Sequence, residues 1–362
     1  MKLSVIIPLF NVEEYAERAA KSIVVQAFEG LEVVLVDDGS TDRSLEVIEH
    51  RLKDASNEIV PAVVSIRQEN MGPGSARNTG IMAASGEYIM FLDGDDFLLP
   101  GAFESILAAI AQSDKPDVLF GRYLKWTPGA GFLRGADYVV ELPGDVKQRT
   151  EYICSSLPEK SWNVWRYVCR RDFIIDNEQF FDTGIMCGED VKWMLALLDS
   201  AGKVACCNVP FYAYHYHREG SIMNSGSNKR LLDLNHVAVE LLQKHRSRPA
   251  ICRSLVQDTF YSISEYHLFC KAERKQVFKS YAELMPLYRY SSSSLHKIVG
   301  KLRNPALLYI MSVLLTIAKQ GRRALTIAKN RGRKDTAIPH PHSLQIDDAA
   351  YEYGIKADAH DR

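Results

Sequence analysis

Residues 1–92 repeat one pattern, a short apolar run followed by a stretch with helical spacing, and no other feature constrains the fold as much. Leu3 to Ile7 reads as a buried strand ended by Pro8. A helix follows from Glu13, with Ala16, Ala19, Ala20, Ile23 and Ala27 at helical spacing. Leu31 to Val36 is the next strand. Ser40 is placed to cap a second helix with Asp42 in its first turn and Leu45, Ile48 and Leu52 inward. Ala62 to Ile66 and Gly74 to Ser85 give a third strand and helix, and Tyr88 to Leu92 a fourth strand. Strand and helix alternating at this spacing require right-handed crossovers and a mostly parallel sheet covered on both faces. No G-x-G-x-x-G follows the first strand, and Gly72-Pro73-Gly74 is too short a match to imply phosphate binding.

Two of these strands run into carboxylates. Tyr88 to Leu92 leads into Asp93-Gly94-Asp95-Asp96, at the end of a strand where α/β sheets bind ligands. Clustered acids repel unless a cation sits between them. Hard oxygen donors suit Mg²⁺ or Mn²⁺, commonly shared between a few carboxylates and substrate phosphates. The plainer reading is an acidic surface turn. Asp37-Asp38 either hydrogen-bonds a nucleobase or ribose, or serves a turn with Gly39 left-handed. Arg77, early in the third helix, meets either a phosphate or an acidic cluster.

At 362 residues the chain is long enough for two domains, and with 46% hydrophobic and 25% charged residues it can bury a sizeable core. A net charge of -1 gives no global case for a nucleic-acid partner. Seven cysteines without a C-x-x-C pair argue against a disulfide framework or zinc site, and Cys206 and Cys207 read as small apolar residues in or beside a strand. Met1-Lys2 leads directly into the first strand with no signal peptide, so a cytoplasmic location is expected.

The blocks Ser4 to Asn11, Val36 to Asp42, Gly74 to Asn78 and Phe91 to Asp96, in this order and spacing, resemble family 2 glycosyltransferases of the GT-A fold. The resemblance extends through Trp165 to Phe173, Phe181, Gly188-Glu189-Asp190 and Trp193, which look like the acceptor-side segment. Tyr212 to Ile222 looks like the closing loop. It implies a Rossmann-like, mostly parallel sheet flanked by helices. The GT-A domain would span residues 1–225, with a nucleotide-binding half (1–120) and an acceptor-side half (121–225). The activity implied is transfer of a sugar from a nucleotide-diphosphate donor to an acceptor hydroxyl, with inversion at the anomeric carbon. UDP is the expected nucleotide because the family uses UDP-sugars most often. Residue by residue, Pro8, Phe10 and Asn11 would line the nucleoside pocket and Asp38 would recognise the base. Asp93 would approach the ribose or donor sugar, and Asp95, with Asp96, would bind Mn²⁺ or Mg²⁺ through the D-x-D pattern. Asp190 would be the general base and Glu189 would orient the acceptor. Arg77 and His217 join the donor-binding set; His215, His217 and Arg218 are alternatives for phosphate or metal contact, against a plain aromatic strand.

The chemistry asks for such groups independently. Displacing a nucleoside diphosphate builds negative charge on the leaving phosphates, and a carboxylate base in hydrogen-bond reach contributes about 10²–10⁴-fold. Asp190 opens a helical pattern (Val191, Met194, Leu195, Leu198), and a helix N-terminus is expected to lower its pKa. Glu189-Asp190 also reads as a simple favourable helix start. Trp162 and Trp165 read as core residues before sugar-stacking platforms.

Residues 226–334 read as a helical extension, with Leu231, Leu234, Val237 and Leu241 on one face of a helix from Lys229 to Lys244. Ala306 to Ala318 is an apolar run of thirteen residues, short of the ~20 a span needs, and Lys319 to Lys334 follows it with basic residues and no acid. Residues 305–334 therefore suit a helix lying on an anionic membrane surface, beside a lipid-linked or other glycan acceptor at the inner face of the cell membrane. The alternative is a helix packed on the domain. Residues 335–362 read as a disordered tail.

The composite expectation is a metal-dependent transferase in surface-glycan assembly (lipopolysaccharide, capsule or exopolysaccharide). The alternatives are a non-catalytic sugar-nucleotide-binding subunit of an assembly complex and a nucleotidyltransferase. The latter would not need Asp190 and usually carries a glycine-rich phosphate loop that is absent here. Nothing in residues 121–165 indicates which sugar or acceptor is selected.

Overall fold

The computed structural model describes residues 1–53, 59–129, 131–133, 139–157, 162–185, 187–216 and 228–255. They fall into two units, one ending at residue 216 and one formed by residues 228–255, each taken by itself. In the first unit the expected alternation is present. It consists of β1 (Leu3–Leu9), α1 (Glu13–Val24), β2 (Leu31–Asp37), α2 (Ser44–Lys53), β3 (Ala62–Arg67), α3 (Pro73–Ala83) and β4 (Tyr88–Phe91). There follow β5 (Phe97–Leu98), α4 (Ala102–Gln112), β6 (Val118–Thr127), β7 (Gly131–Leu133) and α5 (Val146–Ser155). The unit closes with β8 (Tyr167–Arg170), α6 (Arg171–Asp176), α7 (Glu189–Ser200) and β9 (Val204–His215).

One sheet runs through the unit in the order β3-β2-β1-β4-β8-β6-β9-β5, with β7 on the edge of β6. β3, β2, β1 and β4 are parallel, as the crossovers require. β8 then enters antiparallel between β4 and β6, so the sheet as a whole is mixed, its second half set by pairings far apart in sequence. β1 shows why both faces are covered. Leu3, Val5, Ile7 and Leu9 join a core with Ala16, Ala19, Ala20 and Ile23 of α1. Ile6, pointing the other way, meets α3 at Gly80. α2 starts at Ser44, not after Ser40. The Asp42 carboxylate accepts from the Ser44 amide at 3.0 Å, whereas Ser40 donates its amide to Asp37 at 2.9 Å. In the second unit, α8 (Asn228–Lys244) forms where helical periodicity places it, with Val237 and Leu241 buried. Residues 305–334 and 335–362 lie outside the described residues.

α3 can lie against β1 only because residue 80 lacks a side chain, since a Cβ there would sit 2.2 Å from Ile6 Cγ2. Gly80→Ala is expected to lower unfolding free energy by about 1–3 kcal/mol in denaturant titration, overpacking outweighing the ~1 kcal/mol gain in helix propensity.

Candidate active site

Because β1, β2 and β4 are parallel, the residues after them share one edge of the sheet. The chain moves outward from β1 to β2 and β3 and then returns to the other side of β1 with β4. Such a switch point opens a crevice at the carboxyl ends of the strands. Pro8 lies near the end of β1 there and Phe10 and Asn11 follow it, Asp37 ends β2 with Asp38 next, and Asp93, Asp95 and Asp96 follow β4. Phe10 is 41% exposed. Asn11, at φ 51°, accepts from the Thr41 amide at 2.8 Å and so ties the exit of β1 to that of β2. β6 and β9 run parallel to β4, bringing His215 at the end of β9 to the same edge.

Arg77 of α3 joins the two halves of the site. It is 7% exposed, and its Nη2 lies 3.0 Å from Asp93 Oδ1 while its Nη1 lies 3.2 Å from Glu189 Oε1. Burial works to lower its pKa, but Asp93, Glu189 and Asp190 raise it further, so the guanidinium stays charged. Of the two partners open to Arg77, phosphate or acid, the structure supplies the acids.

Glu189 and Asp190 open α7 after Gly188, which takes φ 92°. Burial first, and the neighbouring Asp190 charge second, push the Glu189 carboxyl up to about 7 against the pull of Arg77. Asp190 is also raised, chiefly by burial, even though its carboxylate accepts from the Val191 amide at 2.8 Å. The expected lowering at the helix start is thus overturned, because desolvation outweighs the amides and the dipole.

Asp38 is buried and occupied. Its oxygens accept from Gln68 Nε2 at 2.7 Å and from the amides of Met71 and Gly72 at 2.9 and 2.8 Å. It fixes the loop between β3 and α3. Asp37 makes the alternative turn, with Gly39 at φ 78°. Asp96, expected beside Asp95 at a metal, is 1% exposed. Its Oδ2 accepts from the Tyr212 hydroxyl and its Oδ1 from the His215 amide, both at 2.7 Å. Burial, with the charges of Asp95 and Asp93, raises its pKa well above the usual range. It therefore anchors the acidic turn to β9. Asp95 stays partly exposed, and its carbonyl accepts from Arg18 Nη2 at 3.2 Å.

Among the described residues no three His, Cys, Asp or Glu side chains surround a common metal position. The donor set still fits Mg²⁺ or Mn²⁺, which need only one or two carboxylates when phosphates supply the other oxygens.

His215 is 5% exposed and packs edge-on to Tyr15 and Trp126 at 5.2 Å. Arg18 Nη2 lies 3.3 Å from His215 Nδ1. A guanidinium can only donate, which assigns the ring proton to Nε2. His215 thus joins the aromatic packing. His217 and Arg218 lie outside the described residues. Trp165 stacks on Tyr212 at 4.2 Å and is core, as read. The reading of the sequence missed Arg18 and the bridging part of Tyr212. Arg18 meets His215 across 197 positions, a separation that leaves no local signal.

Residues 4–136 match the family described as glycosyl transferase family 2. Over these residues the chain is similar to that family. Escherichia coli (strain K12) has a similar protein, "Uncharacterized glycosyltransferase YibD", 28% identical over 76% of this chain and 80% of that one. "Uncharacterized glycosyltransferase EpsJ" of Bacillus subtilis (strain 168) is 31% identical over 59% of this chain and 60% of its own. Among solved structures, residues 1–349 of Staphylococcus aureus TarS in complex with UDP-GlcNAc superpose with a TM-score of 0.66 at 22% identity. That match covers 89% of this chain and 92% of that one. The shared fold is the GT-A fold, and Asp93 and Asp95 follow β4 at the carboxyl ends of its parallel strands. No helix among the described residues is long and apolar enough to cross a membrane.

A carboxyl raised from 4.5 to about 7 on folding holds its proton in the native state while the unfolded chain loses it. Its stabilising contribution is full below about pH 4.5 and is lost as pH rises through 7. The stability difference between the protein and Glu189→Gln should fall across that window by up to about 1.4 kcal/mol per pH unit, read by denaturant titration at several pH values.

Proposed function

We propose that this family 2 protein transfers a sugar, with inversion, from a nucleotide-diphosphate donor to an acceptor hydroxyl in surface-glycan assembly, and that the donor is a UDP-sugar. The observation that carries the reading is the buried Glu189–Asp190 pair beside Asp93 and Arg77 at the switch-point edge. An acid pair held next to a donor crevice is what removal of an acceptor proton requires; a binding subunit has no need of it. The TarS structure with UDP-GlcNAc supports the donor class, and YibD and EpsJ support transfer as the activity of the family.

In this reading Asp190, the less enclosed acid, takes the proton from the attacking hydroxyl, its basicity raised by burial. Glu189, paired with Arg77, orients the acceptor. Asp93 faces the donor sugar or ribose, and Pro8, Phe10 and Asn11 border the nucleoside, above a loop held in shape by Asp38. Asp95 is the residue that would hold Mn²⁺ or Mg²⁺ together with the donor phosphates. When bound, the ion supplies Lewis-acid stabilisation of the leaving diphosphate. The acceptor is a glycan or lipid-linked glycan met at the inner face of the membrane, with contact through residues 305–334. Flotation with anionic liposomes before and after deletion of those residues tests this contact, and equal flotation would count against it.

The donor reading is tested by screening nucleotide sugars for thermal stabilisation and hydrolysis with Mn²⁺, with Mg²⁺ and with chelator. Stabilisation by UDP-sugars that chelator and Asp95→Ala both abolish is expected; a response independent of either would remove the metal from the mechanism. Asp190→Asn should lower turnover by about 10²–10⁴-fold while leaving donor affinity intact. Loss of donor affinity instead would contradict its role as base.

A further inference from the structure

Gly74, Arg77 and Asn78 lie on one face of α3, at the spacings that bring side chains together on a helix. All three meet the segment carrying the acids. Asn78 makes a paired contact with the backbone of Phe181. Its Nδ2 donates to the Phe181 carbonyl and its Oδ1 accepts from the Phe181 amide, each at 2.8 Å. The amide side chain thereby replaces a strand partner for one residue. At Gly74 an added Cβ would lie 3.3 Å from Phe181 Cβ, 3.4 Å from Glu189 Cγ and 3.5 Å from the Asp182 carbonyl, so the helix touches both ends of the segment. Phe181 in turn stacks on Trp193 of α7 at 4.6 Å and 10°. Trp193 Nε1 donates to the Gln179 carbonyl at 3.0 Å, and Lys192 pairs with Asp182 at 2.9 Å. Residues 179–182 and the first turns of α7 therefore behave as one packed body. It is attached to the donor-side half through apolar packing of Phe91 of β4, edge-on to Phe181 and Trp193 at 5.6 and 5.7 Å, and through the directional contacts of the Gly74–Asn78 face.

We infer that Asn78, with Gly74 behind it, is a positioning residue for the acid pair: it sets the distance of Glu189 and Asp190 from Asp93 by holding Phe181 against α3. The inference rests on the reading of Asp190 as the base, but the tether itself is measurable without it. Arg77 supplies attraction along this face and does not fix height, since its long side chain follows either partner. The bidentate amide does fix it, because paired hydrogen bonds tolerate displacement of only a fraction of an ångström, and the missing Cβ at Gly74 permits the close approach.

The test uses the full chain carrying Asn78→Asp, Asn78→Ala and Gly74→Ala. The isosteric Asn78→Asp keeps the acceptor for the Phe181 amide but sets a carboxylate against its carbonyl. Amide hydrogen exchange is read first, with no substrate present. Faster exchange confined to residues 179–190 is expected, and unchanged exchange there overturns the tether. Turnover is read next as hydrolysis of UDP-N-acetylglucosamine with Mn²⁺. A fall of roughly 10- to 100-fold in kcat at unchanged donor KM is expected, the scale that small misplacement of a reacting group produces. A parallel loss of donor affinity would overturn the inference. Combining Asn78→Ala with Asp190→Asn separates positioning from general weakening. If Asn78 acts through Asp190, the double variant is no slower than Asp190→Asn alone, whereas multiplying losses would show a merely structural role. Should Asp190→Asn turn over like the parent, the base assignment fails, and the exchange result still decides the tether.

Discussion

A single buried guanidinium holds the donor-side and acceptor-side acids of this protein together. Arg77 is nearly removed from water, and a buried cation is tolerated only where opposite charges and hydrogen bonds replace its hydration. Asp93 supplies one partner just after β4, 16 positions from Arg77, and Glu189 the other from the start of α7, 112 positions from Arg77. Removing either partner would take away one of the two acids that Arg77 touches, so the position of the acid-bearing helix is coupled to that of the acidic turn. Attraction through one charged centre also explains why acids from distant segments can converge without mutual repulsion driving them apart.

Burial decides the protonation of the acids around that centre. Glu189 and Asp190 titrate above their ordinary values because desolvation exceeds what helix amides and Arg77 return, and Asp96 does so because burial and the charges of Asp95 and Asp93 exceed what the His215 amide and Tyr212 hydroxyl return. The functional consequence differs with exposure. Asp96, engaged by Tyr212 and His215, serves the architecture of the turn; Asp95 and Asp93 stay open to the crevice. A carboxylate cluster that looks uniform in the sequence is thereby divided into a buried anchor and partly exposed acids.

Much of the first half was legible in the residues. The periods of Leu3–Leu9 and Glu13–Val24, and the acids that end Leu31–Asp37 and follow Tyr88–Phe91, depend on local alternation and on chemistry that needs a strand end. Other details were not legible. Ser40 looks like a cap, yet its hydroxyl accepts from the Asn11 amide and α2 begins only at Ser44, whose amide donates to Asp42. Asp38 carries the family pattern, but its partners, Met71 and Gly72, come from a loop whose path no local propensity encodes. The antiparallel entry of β8 between β4 and β6 leaves no mark in its own four residues.

The sequence by itself determined that the chain builds strand–helix crossovers with carboxylates at one sheet edge, since short-range periodicity and residue chemistry act within a few neighbouring positions. Tertiary structure alone decided which acids are buried, which face the crevice and which bind the protein itself. Desolvation and partner geometry are properties of groups brought together from far along the chain. Arg77 against Glu189, Asp96 against Tyr212, and Asn78 against Phe181 are contacts of that kind, and the chemistry of the site rests on them.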